Sequence, residues 1–230
     1  MTADEPIHAQ GRPSSPAPHA TPGGAPSPVA LQELLGDVDV YLLDQLLRKR
    51  IEPGMSILDA GCGSGRNVHY LLRAGFEVCA VDRRAERLAT FRARARELAP
   101  NWSDDNARVA ELAALPFEDA RFDVVLAIAV LHFATDTEEF RAGLDELWRV
   151  LAPGGLLFAR LASSIGLEQR VEAFGSGRYR IPDGSVRFLV DQPMLLAETA
   201  RLGATLLDPI KTVNVQDQRC MTTWVLRRDR

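Results

Sequence analysis

The stretch Met55–Asn67, Met-Ser-Ile-Leu-Asp-Ala-Gly-Cys-Gly-Ser-Gly-Arg-Asn, constrains the fold of this chain more than any other. Ser56–Ala60 is short and mostly apolar, carries Asp59 near its end and is bounded by glycines. Such a run reads as a buried parallel strand more readily than as a helix. Gly61, Gly63 and Gly65 follow at alternate positions. Glycine lets a backbone turn sharply and meet a ligand with no Cβ in the way. From Asn67 to Gly75, Val68, Leu71 and Leu72 recur at the spacing of a helix packed on a sheet. The expected local structure is strand, glycine loop, helix N-terminus, where free N–H groups favour a carboxylate or phosphate.

The rest of the chain extends that unit. Glu77–Asp82 reads as a second buried strand ending in an acid. Asp82 lies 21 residues past Gly61, an offset that suits an acceptor for both hydroxyls of a ribose. Arg84–Leu98, rich in Arg and Glu, is expected as a helix with a solvated face. A weak third strand lies around Arg108–Ala110, a fourth at Phe122–Ala127 and a fifth at Leu156–Leu161. Asp136 or Thr137, with Glu139, caps the helix that runs to Leu151. Before the first strand, Val29–Arg50 holds apolar residues at helical spacing, interrupted at Gly36, so one or two amphipathic helices are expected there. Strands alternating with helices predict a doubly wound, mostly parallel α/β sheet. A dinucleotide fingerprint would require a glycine at position 66, where this chain has Arg66, and a nicotinamide oxidoreductase is disfavoured on that ground.

The form Asp59-x-Gly61-x-Gly63-x-Gly65 resembles the first motif of the class I S-adenosylmethionine-dependent methyltransferases. Three more segments are similar to that family in order: Glu111-Leu-Ala-Ala-Leu-Pro-Phe117, Phe122-Asp123 with its apolar run to Val130-Leu-His132, and Leu147-Trp-Arg-Val-Leu-Ala-Pro-Gly-Gly155. The resemblance covers about Val38 to Leu161 and implies a Rossmann-like sheet of seven strands with an antiparallel last strand. It implies S-adenosylmethionine as cofactor, held around the glycine loop by Asp59, Ala60, Gly61, Cys62, Gly63, Arg66 and Asn67. Asp82 would take the ribose, and Arg83 would be a neighbouring cofactor contact. Glu111 would accept from the adenine amino group, the Leu112 backbone would meet the ring edge, Ala127 would be a further cofactor contact, and the loop Ile128 to Phe133, with Ile128 and Leu131 as cofactor contacts, would border the methyl group. A helix before the first strand borders the site in this family, which makes Tyr41 a substrate candidate. The glycine-loop spelling and Met221-Thr-Thr-Trp-Val-Leu-Arg-Arg are also similar to the tellurite-resistance methyltransferases.

Between the fifth strand and a helix capped by Asp191 lies an insert, residues 162–190, with Arg178, Arg180 and Arg187 close together. Its Ile181-Pro-Asp-Gly-Ser-Val186 segment has hairpin turn chemistry. The insert begins where open α/β sheets bind ligands. It reads either as a lid whose arginines hold an anionic acceptor or as a solvated basic loop. Ala204–Leu207 and Arg219–Leu226 are expected as two last strands.

Met1 to about Ser27 is rich in Pro, Ala, Ser and Gly, with too few aliphatic residues to offset the entropy of ordering, so residues 1–28 are expected to be a disordered tail. The domain proper is expected over 29–230. A net charge of −4 argues against a general nucleic-acid or membrane-surface binder. No apolar run approaches the roughly 18 residues of a spanning helix, and Asp4 and Glu5 with no apolar run beside them do not form a secretory signal. Cys62, Cys79 and Cys220 form no C-x-x-C pair, so neither a disulfide framework nor a metal site is expected and the compartment is the cytoplasm. The predicted function is in-line methyl transfer to a small, anionic molecule; the alternative is a non-catalytic cofactor- or partner-binding module of the same fold. A hydroxyl acceptor would call for a base, and His132 is the only histidine near the expected site.

Overall fold

A computed structural model describes residues 28–230, so the predicted tail, with His8 and His19, lies outside the described residues. The elements follow in order as α1 (Pro28–Leu35), α2 (Val40–Leu47), β1 (Ser56–Ala60), α3 (His69–Arg73), β2 (Glu77–Asp82), α4 (Ala85–Leu98), β3 (Ala107–Val109), β4 (Phe122–Ile128), α5 (Thr137–Val150) and β5 (Leu151–Ser163). There follow β6 (Glu172–Gly175), β7 (Arg178–Arg180), β8 (Val186–Phe188), α6 (Gln192–Arg201), β9 (Ala204–Leu206), β10 (Lys211–Val215) and β11 (Arg219–Arg228).

The main sheet runs β10-β11-β5-β4-β1-β2-β3, and the short β9 also pairs with β11. The block from β5 to β3 is parallel, and the last strand β11 is antiparallel to β5 from Ser163↔Cys220 to Leu156↔Arg227. This is the Rossmann-like, mostly parallel sheet expected, with the antiparallel strand placed between β5 and the β9–β10 edge. β10 has no counterpart in the sequence reading, because Lys-Thr-Val-Asn-Val is half polar and largely unburied.

Both faces of the sheet are covered, which is why β1 and most of β2 and β4 are apolar without alternation. One core holds Leu58, Val125, Leu157 and Trp224 under α5 and α6; the other holds Ile57, Leu126, Phe158 and Val225 under α2, α3 and α4. The interruption at Gly36 (φ +61°) separates α1 from α2, as a residue that tolerates left-handed backbone should. Asp136 caps α5 by accepting from the Glu139 N–H at 2.8 Å, while the Glu139 carboxylate accepts from the Thr135 N–H, a reciprocal closure of the first turn.

Two expectations need correction. The helix after the glycine loop is shorter than expected, His69–Arg73, begins four residues past Gly65 and has no side-chain cap. The loop instead spends its N–H groups internally: Gly61 and Cys62 donate to Val81 O, Gly65 donates to Cys62 O, and Gly63 donates to Asp82. The insert is not one hairpin but a separate three-stranded antiparallel sheet, β6-β7-β8. Its first turn, Gly175-Ser-Gly177, keeps three consecutive residues at positive φ.

Candidate functional site

Each loop glycine has its own reason. A Cβ on Gly61 would lie 2.4 Å from Val130 Cγ2, and one on Gly65 would lie 2.7 Å from the Phe91 ring. Gly63 differs: at φ +56° its missing Cβ faces open space, with Arg87 Nη1 the nearest atom at 4.0 Å. Two of the glycines therefore let α4 and the segment after β4 close on the loop, and the third leaves room above it.

Asp82, at the end of β2, is buried but accepts only from backbone: Gly63 N–H at 3.0 Å and Arg84 N–H at 2.9 Å. Each carboxylate oxygen has two lone pairs, so both keep capacity for a further donor. Asp82 lines a cavity of about 300 Å³ with Gly61, Arg83, Arg87, Glu111, Leu112, Leu131, Phe133 and Gly143. The cavity thus runs from the glycine loop across the ends of β2 and β3 to the loop after β4. Of the sequence-predicted cofactor residues, Gly61, Asp82, Arg83, Glu111, Leu112 and Leu131 come together on its wall.

The others sit beside or beneath it. Asp59 is almost fully buried, its Oδ2 has no hydrogen-bond partner, and burial lifts its carboxyl to about 7 against the pull of Arg66. Ala60 and Ala127 are core residues of β1 and β4, and Ile128 ends β4. Burial pushes the Cys62 thiol above its ordinary range, which leaves it neutral and without nucleophilic character. Arg66 donates to Asp37 O at 3.1 Å and Asn67 accepts from the Asp39 N–H at 3.2 Å, so these two fasten the α1–α2 joint to the loop.

His132 is buried and absent from the cavity wall. Its Nδ1 accepts from the Ala162 N–H at 3.2 Å, so the neutral ring carries its proton on Nε2. Burial, aided by Arg187, lowers it to about 4. Such a ring donates at neutral pH; proton abstraction would cost it the Ala162 bond.

The four substrate candidates are also off the wall. The Arg178 and Arg180 guanidinium groups both lie over the Phe174 ring, at 5.3 and 5.7 Å, the shared face that strand alternation predicts. Arg187 stands 5.0 Å over Phe133, a cavity residue, and so touches the site through that ring. Tyr41 lies 5.4 Å under the guanidinium of Arg160, which forms an ion pair with Asp39.

Phe133, the last residue of the loop expected to border the methyl group, is on the wall, while sequence reasoning missed Arg87 and Gly143. One of them carried a signal: a glycine inside a helix marks close approach, and a Cβ on Gly143 would stand 3.3 Å from Leu112 Cβ. Among the described residues no group of three or more His, Cys, Asp or Glu side chains converges, and no helix is long and apolar enough to cross a membrane.

This geometry has counterparts. Residues 58–159 match the family described as "Methyltransferase domain". A ubiquinone biosynthesis O-methyltransferase from Methylocella silvestris is 35% identical over 123 residues, 52% of this chain and 46% of the relative. The chain spans about half the length of the curated relatives it matches. Among solved structures, a SAM-dependent methyltransferase from Methanosarcina mazei superposes with TM-score 0.66 at 19% identity, over 80% of this chain and 97% of the other. A magnesium protoporphyrin IX methyltransferase from Synechocystis PCC 6803 with bound SAM gives 0.61 at 17% identity, over 83% and 77%. At those identities the two structures establish the fold, and the family match is to residues 58–159. With the glycine loop and the acid at the end of β2, residues 58–159 match a methyltransferase domain, within the fold of the S-adenosylmethionine-dependent methyltransferases.

Proposed function

We propose that the chain binds S-adenosylmethionine in the cavity beside the glycine loop and transfers its methyl group to a small, anionic oxygen acceptor. The observation that carries this reading is the convergence of Gly61, Asp82, Glu111, Leu112 and Leu131 on one 300 Å³ space. The residues present fit the cofactor. Gly63 leaves open space over the loop, Asp82 has lone pairs to accept from two ribose hydroxyls, and Glu111 can accept from an amino group. Asp59 offers an unspent buried carboxylate oxygen near the loop, suited to a cationic ligand.

When bound, the cofactor supplies an electrophilic methyl on a sulfonium. The protein's task is then to orient, since a displacement of this kind needs nucleophile and methyl in line at near-attack distance. Val130, Leu131 and Phe133 provide an apolar wall that would exclude water from the reacting atoms. His132 holds the loop after β4 against β5 through its Nδ1 bond to the Ala162 N–H. Its proton-bearing Nε2 suits an acceptor that is already ionised, for which no base is required. Burial of His132 and the O-methyltransferase activity in the name of the Methylocella relative both agree with an oxygen nucleophile of that kind. The insert sheet, with Arg187 over Phe133, would act as the lid, and Tyr41, Arg178 and Arg180 are its outlying candidates for acceptor contact.

Mass spectrometry of the purified chain should find S-adenosylhomocysteine, and titration calorimetry should show that it binds. Transfer of a labelled methyl from S-adenosylmethionine to members of a panel of small carboxylates and phenolates should follow. Binding without any transfer across that panel would favour the non-catalytic module; absence of binding would overturn the cofactor itself.

A further inference from the structure

We infer that Arg160, Thr223 and Tyr41 form a corner that binds the carboxylate of the acceptor, an inference that rests on the acceptor being anionic as proposed above. Arg160 and Thr223 are direct partners on β5 and β11, and Ile128 is the partner of Arg160 on β4. Side chains that are direct partners share a face and stand about 5 Å apart at Cβ. Ile128, Arg160 and Thr223 therefore form one row across three strands, on the face covered by α2, and Lys211 of β10 continues it as the partner of Thr223.

Two polar atoms in this row are unspent. Arg160 Nε and Thr223 Oγ1 are both buried and make no hydrogen bond in the protein. Thr223 as a residue is 5% exposed, while the Arg160 side chain keeps 19% of its surface. Buried donors left without a partner are uncommon and costly, and two side by side point to a missing ligand group. Arg160 is held ready by its ion pair to Asp39 and by the Tyr41 ring beneath its guanidinium. Asp39 is in turn held by Asn67 of the glycine loop, so the corner is tied to the cofactor side of the cleft.

The position relates to the cavity. The Ala129 N–H donates to Arg160 O at 2.7 Å, and Ala129 is part of the cavity wall. One step further along β5 and β11, the polar row gives way to the apolar pair Ala162 and Met221, packed with Tyr179 and Ile181 of the insert. A donor pair beside an apolar wall fits a carboxylate on an apolar or aromatic body. Arg178 Nε is also buried and unpartnered, but among the described residues no second unspent donor stands beside it; Arg178 and Arg180 are stacked on Phe174, and Arg180 faces Glu172.

The test uses benzoate as probe and benzamide as its uncharged counterpart, titrated into the full chain with and without saturating S-adenosylhomocysteine and read by protein NMR shifts. Thr223→Val removes a hydroxyl that bonds nothing in the protein, so it should fold normally. Arg160→Lys keeps the charge opposite Asp39 but loses Nε–H. Benzoate should bind and benzamide should bind far more weakly. Each variant should weaken benzoate by about tenfold, the loss of one charge-assisted hydrogen bond, with S-adenosylhomocysteine affinity unchanged. The inference is overturned if both single variants titrate like wild type, which would mean that a bridging water satisfies the two atoms. It is also overturned if they weaken S-adenosylhomocysteine and spare benzoate, which would assign the corner to the cofactor's own carboxylate. A wild-type chain that binds benzoate but not S-adenosylhomocysteine supports the corner and sinks the cofactor reading instead.

Discussion

Asp82 and Asp59 are both acids at strand ends, and their surroundings set them to different work. Asp82 accepts two backbone N–H bonds and faces the cavity. Asp82→Ala would remove two ribose contacts to a charged acceptor, each worth about 1.5–3 kcal/mol. Calorimetry should then show S-adenosylmethionine affinity reduced by at least about tenfold. Asp59 has an unpaired buried oxygen and a carboxyl lifted to about 7, chiefly by burial. A cationic ligand favours its ionised form, so affinity for S-adenosylmethionine should rise as pH is raised from 6 to 8, with proton release on binding. Asp59→Asn should flatten that profile, and an unchanged slope in the variant would show that another group titrates. The glycine loop was legible at this scale because each glycine is demanded by a local clash or a positive φ. Arg160 was not legible, since an arginine at the end of an apolar strand gains its meaning only from Asp39, Tyr41 and Thr223, which are distant in sequence.

Between elements, the contact of α5 with α6 depends on a buried carboxylate with two cations at its rim. Glu198 is 1% exposed and pairs with Arg141 and Arg201, whose side chains are 52% and 38% exposed. The two ways of breaking this group should differ. Glu198→Ala removes the buried charge and lets the arginines return to water, costing about 1 kcal/mol. Arg141→Met with Arg201→Met strands the carboxylate away from water and should cost about 3 kcal/mol. Urea unfolding of the two variants checks the order; equal costs would mean that the carboxylate is not desolvated. Helices and parallel strands were readable in advance because apolar spacing reports burial on known faces. The β6-β7-β8 sheet was read as a single hairpin, because Gly175-Ser-Gly177 makes its turn through backbone conformation, without the Pro-Asp-Gly signal of the second turn.

For the molecule as a whole, two buried groups give opposing pH dependence. His132 is lowered to about 4 by burial and Arg187. It is neutral when folded and protonated when unfolded between about 4 and 6.5, so its contribution is complete above 6.5 and is lost as pH falls towards 4. Asp59 is raised, so its contribution is present below its unfolded value and is lost as pH rises through about 7. The two slopes oppose each other between pH 4 and 6.5. The wild-type melting temperature should therefore change little there, while Asp59→Asn should unmask a steady fall on acidification. If Asp59→Asn melts with the same profile as wild type, these two groups do not govern acid stability. The sequence by itself determined the parallel strands, the helices between them and the proposed cofactor side of the site, because hydrophobic period, glycine spacing and an acid at a fixed offset are local properties of the chain. Only the tertiary structure brings together the residues of the proposed acceptor side. There the Ile128–Arg160–Thr223 row, the bond that fixes the His132 tautomer and the stacking of Arg187 on Phe133 join residues far apart in sequence, and register and burial, not composition, set what those side chains can do.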